Sequence, residues 1–188
     1  MGFLDSILGR RKPPAADLDA LFSVPQAALS LQAYGHTAAG IGSLCYRAHE
    51  GPAFAKAEQD VVALLDADEG EDVERTPDSH GYTWLVIRHA PGDIAGLVTD
   101  LHAANRGFQD AGFGAALLCT VVNFATPEGQ DWGLVYLYKQ GTFYPFVPGP
   151  DRRRENSAEL QVSTLIGDDV PVESTLERWM ALWEAPGL

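Results

Sequence analysis

The sequence predicts an α+β domain in which a mainly antiparallel sheet of about five or six strands carries packed helices. Residues 131–147 hold two β-forming runs, 132–139 and 142–147, joined by Gln140-Gly141. This composition is typical of a tight hairpin, in which glycine supplies a positive φ. Helical spacing of apolar residues recurs between the predicted hairpins rather than after every strand, which favours an antiparallel sheet over repeated βαβ units.

The hairpin arm at residues 132–139 is apolar on both faces. Because side chains alternate along a strand, one face carries four large residues and the other carries two aliphatic ones. A strand of this kind needs cover on both sides, so we expect it inside the sheet. The first face holds Trp132, Leu134, Tyr136 and Tyr138, and the second holds Val135 and Leu137.

The N-terminal residues 1–12 predict an amphipathic helix that is separate from a single α+β domain at residues 15–188. Its apolar residues recur at helical spacing, basic residues follow them, and Pro13-Pro14 ends the pattern. Such a helix either docks on the domain or frays, or it binds a partner or a membrane surface. The apolar stripe consists of Phe3, Leu4, Ile7 and Leu8.

The first half of the domain predicts short helices around Pro25, at residues 17–22 and 26–34, and then a strand at 41–48. Pro52 opens a helix, since proline is tolerated in the first turn. An acidic loop at residues 66–74 follows, and we interpret it as a solvated turn. A hairpin is predicted next, with arms at 73–76 and 82–89.

Asp93 predicts the N-cap of the clearest helix, whose apolar residues recur from Ile94 to Phe108 at intervals of three and four. A strand at 115–124 then leads to the 131–147 hairpin. The remaining chain returns to a helical pattern, with capping-box spacing in two places. These pairs are Asn156 with Glu159 and Ser174 with Glu177. One face of the last predicted helix is lined by Leu176, Trp179, Met180 and Trp183.

Composition and charge restrict the function classes. The chain has 188 residues, of which 46% are hydrophobic, and a formal net charge of −13. This charge opposes binding to nucleic acid and to anionic bilayers, so we expect no nucleic-acid partner and at most peripheral membrane contact. The sequence has no apolar run of about 18 residues, the length of a membrane-spanning helix. Cys45 and Cys119 lie in apolar runs, which favours buried free thiols in a reducing, cytoplasmic compartment over a disulfide.

Catalytic and metal-binding motifs are not evident in the sequence, so we expect no catalytic residue, no metal and no cofactor. His49 and His89 stand at strand ends near Glu50, where a metal or acid–base site is an alternative to ordinary exposure. Asp168-Asp169 reads as a turn, with a metal role as the alternative. Hairpin aromatic residues form either core or a partner-binding surface. That candidate surface comprises Tyr136, Tyr138, Lys139, Phe143, Tyr144 and Phe146.

Several stretches together resemble one protein family. They are MGFLDSILGR, SHGYTWLVIR, GLVTDLHAANRGFQDAGFG, LVYLYKQGTFYPF, ELQVSTLIGDDVPVE and the closing APGL. The chain resembles the PspA-associated, PspAB-like proteins of actinobacteria and some archaea, essentially from end to end. The resemblance provides no catalytic residues to carry over. It implies association with the phage-shock system, in which PspA, a helical peripheral protein, protects stressed membranes, and with an HtpX-type membrane protease.

The expected function is that of a non-enzymatic accessory or adaptor protein of this envelope-stress system, acting by protein–protein interaction. We expect it in the cytoplasm, transiently at the inner face of the membrane. A small-molecule or peptide sensor that uses the sheet, or an unrecognised enzyme, is the alternative. The order of elements is also similar to that of secretion-chaperone-like domains, although this is an analogy of fold alone.

Overall fold

The computed structural model describes residues 17–67 and 73–188, and this part of the chain has the predicted α+β fold. Four α-helices in these described residues form the helical layer, together with short 3-10 turns. The helices are α1 (Val24–Ala33), α2 (Pro52–Leu65), α3 (Ile94–Asp110) and α4 (Asn156–Ile166). The 3-10 turns are Leu18–Ser23, Gly114–Ala116, Pro150–Arg152 and Leu176–Arg178.

Eight strands in the described residues form two sheets. The larger sheet has six antiparallel strands in the order β2-β3-β1-β4-β5-β6, and β7 and β8 form a separate two-stranded ladder. The strands are β1 (Thr37–Tyr46), β2 (Glu74–Pro77), β3 (Thr83–Arg88), β4 (Leu117–Ala125), β5 (Asp131–Leu137), β6 (Thr142–Phe146), β7 (Pro148–Gly149) and β8 (Arg153–Arg154).

Local sequence signals account for most of these elements. The Asp93 carboxylate accepts a hydrogen bond from Gly96 N at 3.0 Å, which confirms the predicted cap of α3. The β5–β6 turn contains Gly141 with φ +70°, the left-handed conformation that glycine adopts without strain. Both predicted hairpins are present as antiparallel pairs, β2 with β3 and β5 with β6.

The six-stranded sheet separates two apolar layers. Leu134 and Tyr136 of β5 belong to the layer that includes Leu97 and Leu101 of α3. Val135 points into the second layer, which, within the described residues, is covered by the C-terminal residues rather than by an α-helix. The alternation predicted for β5 is therefore confirmed, and β5 lies between β4 and β6 inside the sheet.

The edges of the sheet are closed in different ways. At β6, Phe143 N donates to Pro171 O at 2.8 Å and Glu173 N donates to Phe143 O at 2.7 Å, so a parallel bridge extends the sheet by one segment. The opposite edge is β2, a strand of four residues that ends in Pro77. In the β5–β6 hairpin, β5 is therefore an interior strand of the sheet, and β6 is bordered by residues 171–173.

The predicted last helix is wrong. Residues Leu176–Arg178 make a single 3-10 turn, and the following residues have no regular helix. Trp179 is held toward the sheet, because its Nε1 donates to Glu173 O at 2.9 Å and its ring stacks on Tyr144 with centroids 5.8 Å apart. A continuous helix would turn Trp179 and Met180 to one face, whereas Trp179 is buried here and Met180 is 59% exposed.

The predicted capping box at Asn156 and Glu159 is also wrong, although α4 itself is confirmed. Glu155 occupies the N-cap position. Glu159 is buried and accepts hydrogen bonds from Val147 N at 3.0 Å and from Arg154 Nε at 3.0 Å. Its carboxylate therefore connects α4 to the end of the β5–β6 hairpin instead of capping its own helix.

Candidate functional site

An apolar cavity of about 480 Å³ lies on the second face of the sheet, beneath the C-terminal residues. We call it the C-terminal cavity. Strands β1, β3, β4, β5 and β6 supply one side, consisting of Cys45, Trp84, Leu118, Cys119, Leu137 and Tyr144, and the chain segment 180–184 supplies another. The turn between β2 and β3 contributes the polar residues Asp78, His80 and Tyr82. The volume and the mostly apolar lining are those of small-molecule pockets.

Hydrogen bonds position residues 179–188, which we call the C-terminal segment, over the sheet. Tyr144 Oη donates to Met180 O at 2.9 Å, and Asn123 Nδ2 donates to Pro186 O at 2.9 Å. The Glu184 carboxylate accepts from Ser79 N at 2.8 Å and from Ser79 Oγ at 2.6 Å. The segment is therefore fixed to β6, to β4 and to the β2–β3 turn without forming a helix.

Two carboxylates, Asp78 and Glu184, lie on the polar rim of the C-terminal cavity. Burial alone would raise the pKa of Asp78, but bonds from Tyr82 N, Trp84 Nε1 and His80 N lower it below its ordinary value. The bonds from Ser79 lower the pKa of Glu184. Both groups are therefore ionised at neutral pH, and His80 Nε2 lies 3.7 Å from Glu184.

Two thiols lie side by side in this cavity. Cys45 of β1 is directly opposite Cys119 of β4 in the antiparallel register. Both cysteines are free and buried, which confirms the expectation of buried free thiols. The neighbouring Cys119 thiol and burial raise the pKa of Cys45 well above its ordinary value, so Cys45 is protonated at neutral pH.

A second cavity, of about 550 Å³, lies between α1, α4 and the β4–β5 turn. We call it the α1–α4 cleft. Its apolar residues include Tyr34 from the end of α1 and Ala158, Val162 and Leu165 from α4. Tyr34 is 63% exposed, so this side of the cleft is open to solvent.

The aromatic partner-binding surface predicted on the hairpin is wrong in this fold. All five aromatic residues are at most 7% exposed, because both faces of β5 and β6 are covered. The alternative interpretation, that they are core, is confirmed for Tyr136, Tyr138, Phe143, Tyr144 and Phe146. Lys139 is exposed in the turn. The other predicted partner-binding residues, Phe3, Leu4, Ile7 and Leu8, lie outside the described residues.

The candidate histidine site is not assembled. His49 follows the end of β1, whereas His89 N bonds to Gly40 O near the beginning of β1, so the two rings lie at opposite ends of that strand. His49 packs on Phe54 with centroids 5.6 Å apart. Asp168-Asp169 forms the turn after α4. Across residues 17–67 and 73–188, no group of three or more His, Cys, Asp or Glu side chains is placed to hold a metal ion.

His89 instead lies between two carboxylates. Its Nδ1 is 2.9 Å from Asp93 Oδ2, and its Nε2 is 2.8 Å from Asp100 Oδ2. Burial alone would lower the pKa of His89, but the bonds to Asp93 and Asp100 raise it. This arrangement ties the end of β3 to the first turns of α3.

Sequence reasoning missed both cavities. The sequence predicts a turn around Asp78. The Asp78 carboxylate borders a cavity, however, only because the C-terminal segment returns to the same turn. The pairing of Cys45 with Cys119 depends on the β1–β4 register, which a single sequence does not specify. The alternating apolar residues of these strands predict that the strands are buried, but they do not predict which strands lie side by side.

These features define a layered α+β protein with an apolar cavity on the sheet face that its C-terminal residues cover. The model of the family described as PspA associated protein B matches residues 1–187, so the chain belongs to this family. Comparisons with curated proteins and with solved structures found no significant match. The analogy to secretion-chaperone-like domains stays a prediction. Within the described residues, no helix is long and apolar enough to cross a membrane.

Proposed function

We propose that this protein is a non-enzymatic accessory protein of the phage-shock response that acts by binding PspA directly. The observation that carries the proposal is the family match over residues 1–187 to PspA associated protein B. The proposed place of action is the cytoplasm and, transiently, the inner face of the membrane. An HtpX-type protease is a further proposed partner, which rests on the resemblance alone.

The contacts of the titratable groups support binding rather than catalysis. His89 is held by Asp93 and Asp100, and Glu159 is held by Arg154 and Val147 N. A general acid or base must have a polar atom available to the substrate. The polar atoms of His89 and Glu159 that proton transfer would need are instead engaged in hydrogen bonds that stabilise the fold.

The α1–α4 cleft is the proposed docking surface for PspA. Tyr34, directly after α1, is 63% exposed, although it is large and mainly apolar. The cleft beside Tyr34 continues over Val162 and Leu165 of α4. A groove bordered by two helices accommodates apolar side chains that recur along a partner helix, and the resemblance describes PspA as helical.

Direct binding tests this proposal with purified full-length protein and purified PspA from the same organism. Titration calorimetry is expected to detect a complex with the wild type. Tyr34→Glu should weaken binding at least about tenfold, since a charge would enter an apolar contact. Leu64→Glu is the matched control, because Leu64 is 56% exposed on α2, and it should bind like the wild type.

The possible results separate the function from the surface. If the wild-type protein does not bind PspA, the proposed function is wrong. If Tyr34→Glu and Leu64→Glu both bind normally, the function stands and the cleft is the wrong surface. A deletion of residues 1–12 in the same assay tests the predicted role of the N-terminal segment, and purified HtpX-type protease serves as the second ligand.

A small-molecule sensor is the second candidate function, and the C-terminal cavity favours it. A neutral apolar dye such as Nile red should increase its fluorescence with the wild type. Leu118→Trp would fill part of the cavity and should abolish that increase. The enzyme alternative is tested with a panel of hydrolase substrates and added metals, where turnover that disappears in His89→Gln would contradict a non-enzymatic role.

A further inference from the structure

Cys45 and Cys119 have the geometry of a latent cross-strand disulfide. Directly opposed residues of antiparallel strands have Cα atoms about 4.5 or 5.5 Å apart, depending on the hydrogen-bonding pattern. Disulfides span Cα separations of about 4.4–6.8 Å, so either pattern is compatible with an S–S bond. The register pairs these two residues on the same side of the sheet, and both are free thiols.

We propose that Cys45 and Cys119 are a reversible redox site, in which a small uncharged two-electron oxidant enters the C-terminal cavity and converts the two thiols into one intramolecular disulfide. The inference does not depend on PspA binding. It assigns a chemical role to a cavity that the proposed adaptor function leaves unused.

The cavity explains how buried thiols meet an oxidant. The two cysteines are only 3% and 5% exposed, but both line the C-terminal cavity. Asp78 and Glu184 border the same cavity. The Arg152 guanidinium lies 3.7 Å from Glu184, whereas Asp78 is bonded by N–H donors that carry no charge, so the charge of Asp78 repels anions. A hydroperoxide is small and neutral, whereas glutathione disulfide is larger and negatively charged. The site should therefore discriminate between these two oxidants.

The reaction with hydrogen peroxide balances in two steps. The first thiol loses its proton, its sulfur bonds to a peroxide oxygen, and the O–O bond breaks to give a sulfenic acid and water. The second thiol then attacks the sulfenic sulfur, the S–O bond breaks, and a second water leaves with the thiol proton. The two cysteines face each other in the register, so either thiol can take the first step and the other the second.

The disulfide would join the two central strands, β1 and β4, beneath the cavity. It would close a long loop between residues 45 and 119 and so restrict the unfolded chain. Oxidation should therefore raise the melting temperature, and a fall would contradict the inference. A dithiol reductant should reverse the change by thiol–disulfide exchange.

The test treats the full chain with hydrogen peroxide, removes the oxidant, unfolds the protein and alkylates it. Untreated protein should take up two alkyl groups, one for each free cysteine. Treated protein should take up none, lose two hydrogen masses, form no disulfide between chains and recover both thiols with dithiothreitol. In Cys45→Ala and in Cys119→Ala, dimedone should trap a sulfenic acid at the remaining cysteine, because the second thiol that would convert it into a disulfide is absent.

Several outcomes would overturn the inference. Retention of two alkylatable thiols, under conditions that oxidise the urea-unfolded chain, would mean that the fold does not place them for reaction. A disulfide-linked dimer would move the chemistry to the surface. Oxidation by glutathione disulfide as fast as by hydrogen peroxide would contradict entry through the acidic cavity. The wild-type mass and melting temperature decide the question even if a cysteine variant does not fold.

Discussion

The ion pair of Glu159 and Arg154 shows how single residues connect distant elements. Their side chains are 3% and 20% exposed, and the Glu159 carboxylate also accepts the backbone N–H of Val147. Arg154 also donates to the carbonyl of Trp179, at the beginning of the C-terminal segment. Helix α4, the β5–β6 hairpin and the C-terminal segment thus meet at one carboxylate and one guanidinium.

Removing the charge of Glu159 should be costly. Glu159→Gln keeps an oxygen for Val147 N but leaves Arg154 without its anionic partner, and breaking a buried pair costs about 3 kcal/mol or more. Chemical denaturation should measure this loss as a lower midpoint. Asp110→Asn is the matched control, since the Asp110–Arg106 pair is about 60% exposed and such pairs contribute at most about 1 kcal/mol. Equal losses in the two variants would contradict the buried-pair assignment.

His89 makes stability depend on pH in a defined direction. Its pKa is raised in the folded state, so its contribution is fully present below the unfolded pKa of about 6.5. The contribution is lost as the pH rises through the folded pKa. The free energy of unfolding of the wild type should therefore exceed that of His89→Gln most at mildly acidic pH, and the difference should shrink on going to alkaline pH.

Asp100→Asn provides the control for this pH dependence. It removes one of the two carboxylates that contact the imidazole. When His89→Gln is introduced into the Asp100→Asn variant, the resulting change in the free energy of unfolding should therefore vary less with pH than it does in the wild type. A difference between wild type and His89→Gln that grows toward alkaline pH would show that His89 is stabilised in its neutral form.

At the scale of elements, local signals were sufficient where an element is amphipathic or ends in a recognisable turn. Helix α3 followed from the spacing of Leu97, Leu101 and Phe108 and from the Asp93 cap, and the β5–β6 hairpin followed from alternation and Gly141. The end of the chain did not follow, although its capping-box and apolar spacing were similar in quality. There, the aromatic surface of β6 binds Trp179 and the 171–173 segment pairs with Phe143, and these long-range contacts outweigh a local helical preference.

The cavities could not be predicted for the same reason. The C-terminal cavity exists because an irregular segment crosses the sheet, and the cysteine pair depends on strand register. The sequence identified the aromatic hairpin residues, yet it could not decide between core and surface. That decision required the covering elements on both sides of β5 and β6.

Alanine substitutions at two adjacent positions distinguish the observed segment from the helix that the sequence predicts. Trp179→Ala should lower the free energy of unfolding by about 3 kcal/mol or more, because it empties a buried site beside Tyr144. Met180→Ala should change it by no more than about 0.5 kcal/mol, since Met180 is 59% exposed. Similar losses from both variants would favour a helix with Trp179 and Met180 on one packed face.

At the scale of the whole molecule, the formal charge of −13 opposes compaction. Repulsion among exposed carboxylates is screened over about 10 Å at 0.1 M ionic strength, whereas the Glu159–Arg154 pair is buried and screened less. We therefore expect the melting temperature to rise by a few degrees when sodium chloride is increased from about 10 mM to about 0.2 M. Scanning calorimetry measures this, and a fall in melting temperature would indicate that exposed ion pairs dominate.

The two edges of the sheet also have a consequence for the behaviour of the protein at high concentration. An unpaired strand edge offers backbone N–H and C=O groups to other chains, and it is a starting point for aggregation. Residues 171–173 already occupy part of the β6 edge, and β2 is short, carries Glu74 and Arg75, and ends in a proline. A sheet closed in this way resists intermolecular β-pairing. The protein can therefore reach a high concentration without recruiting copies of itself into fibres.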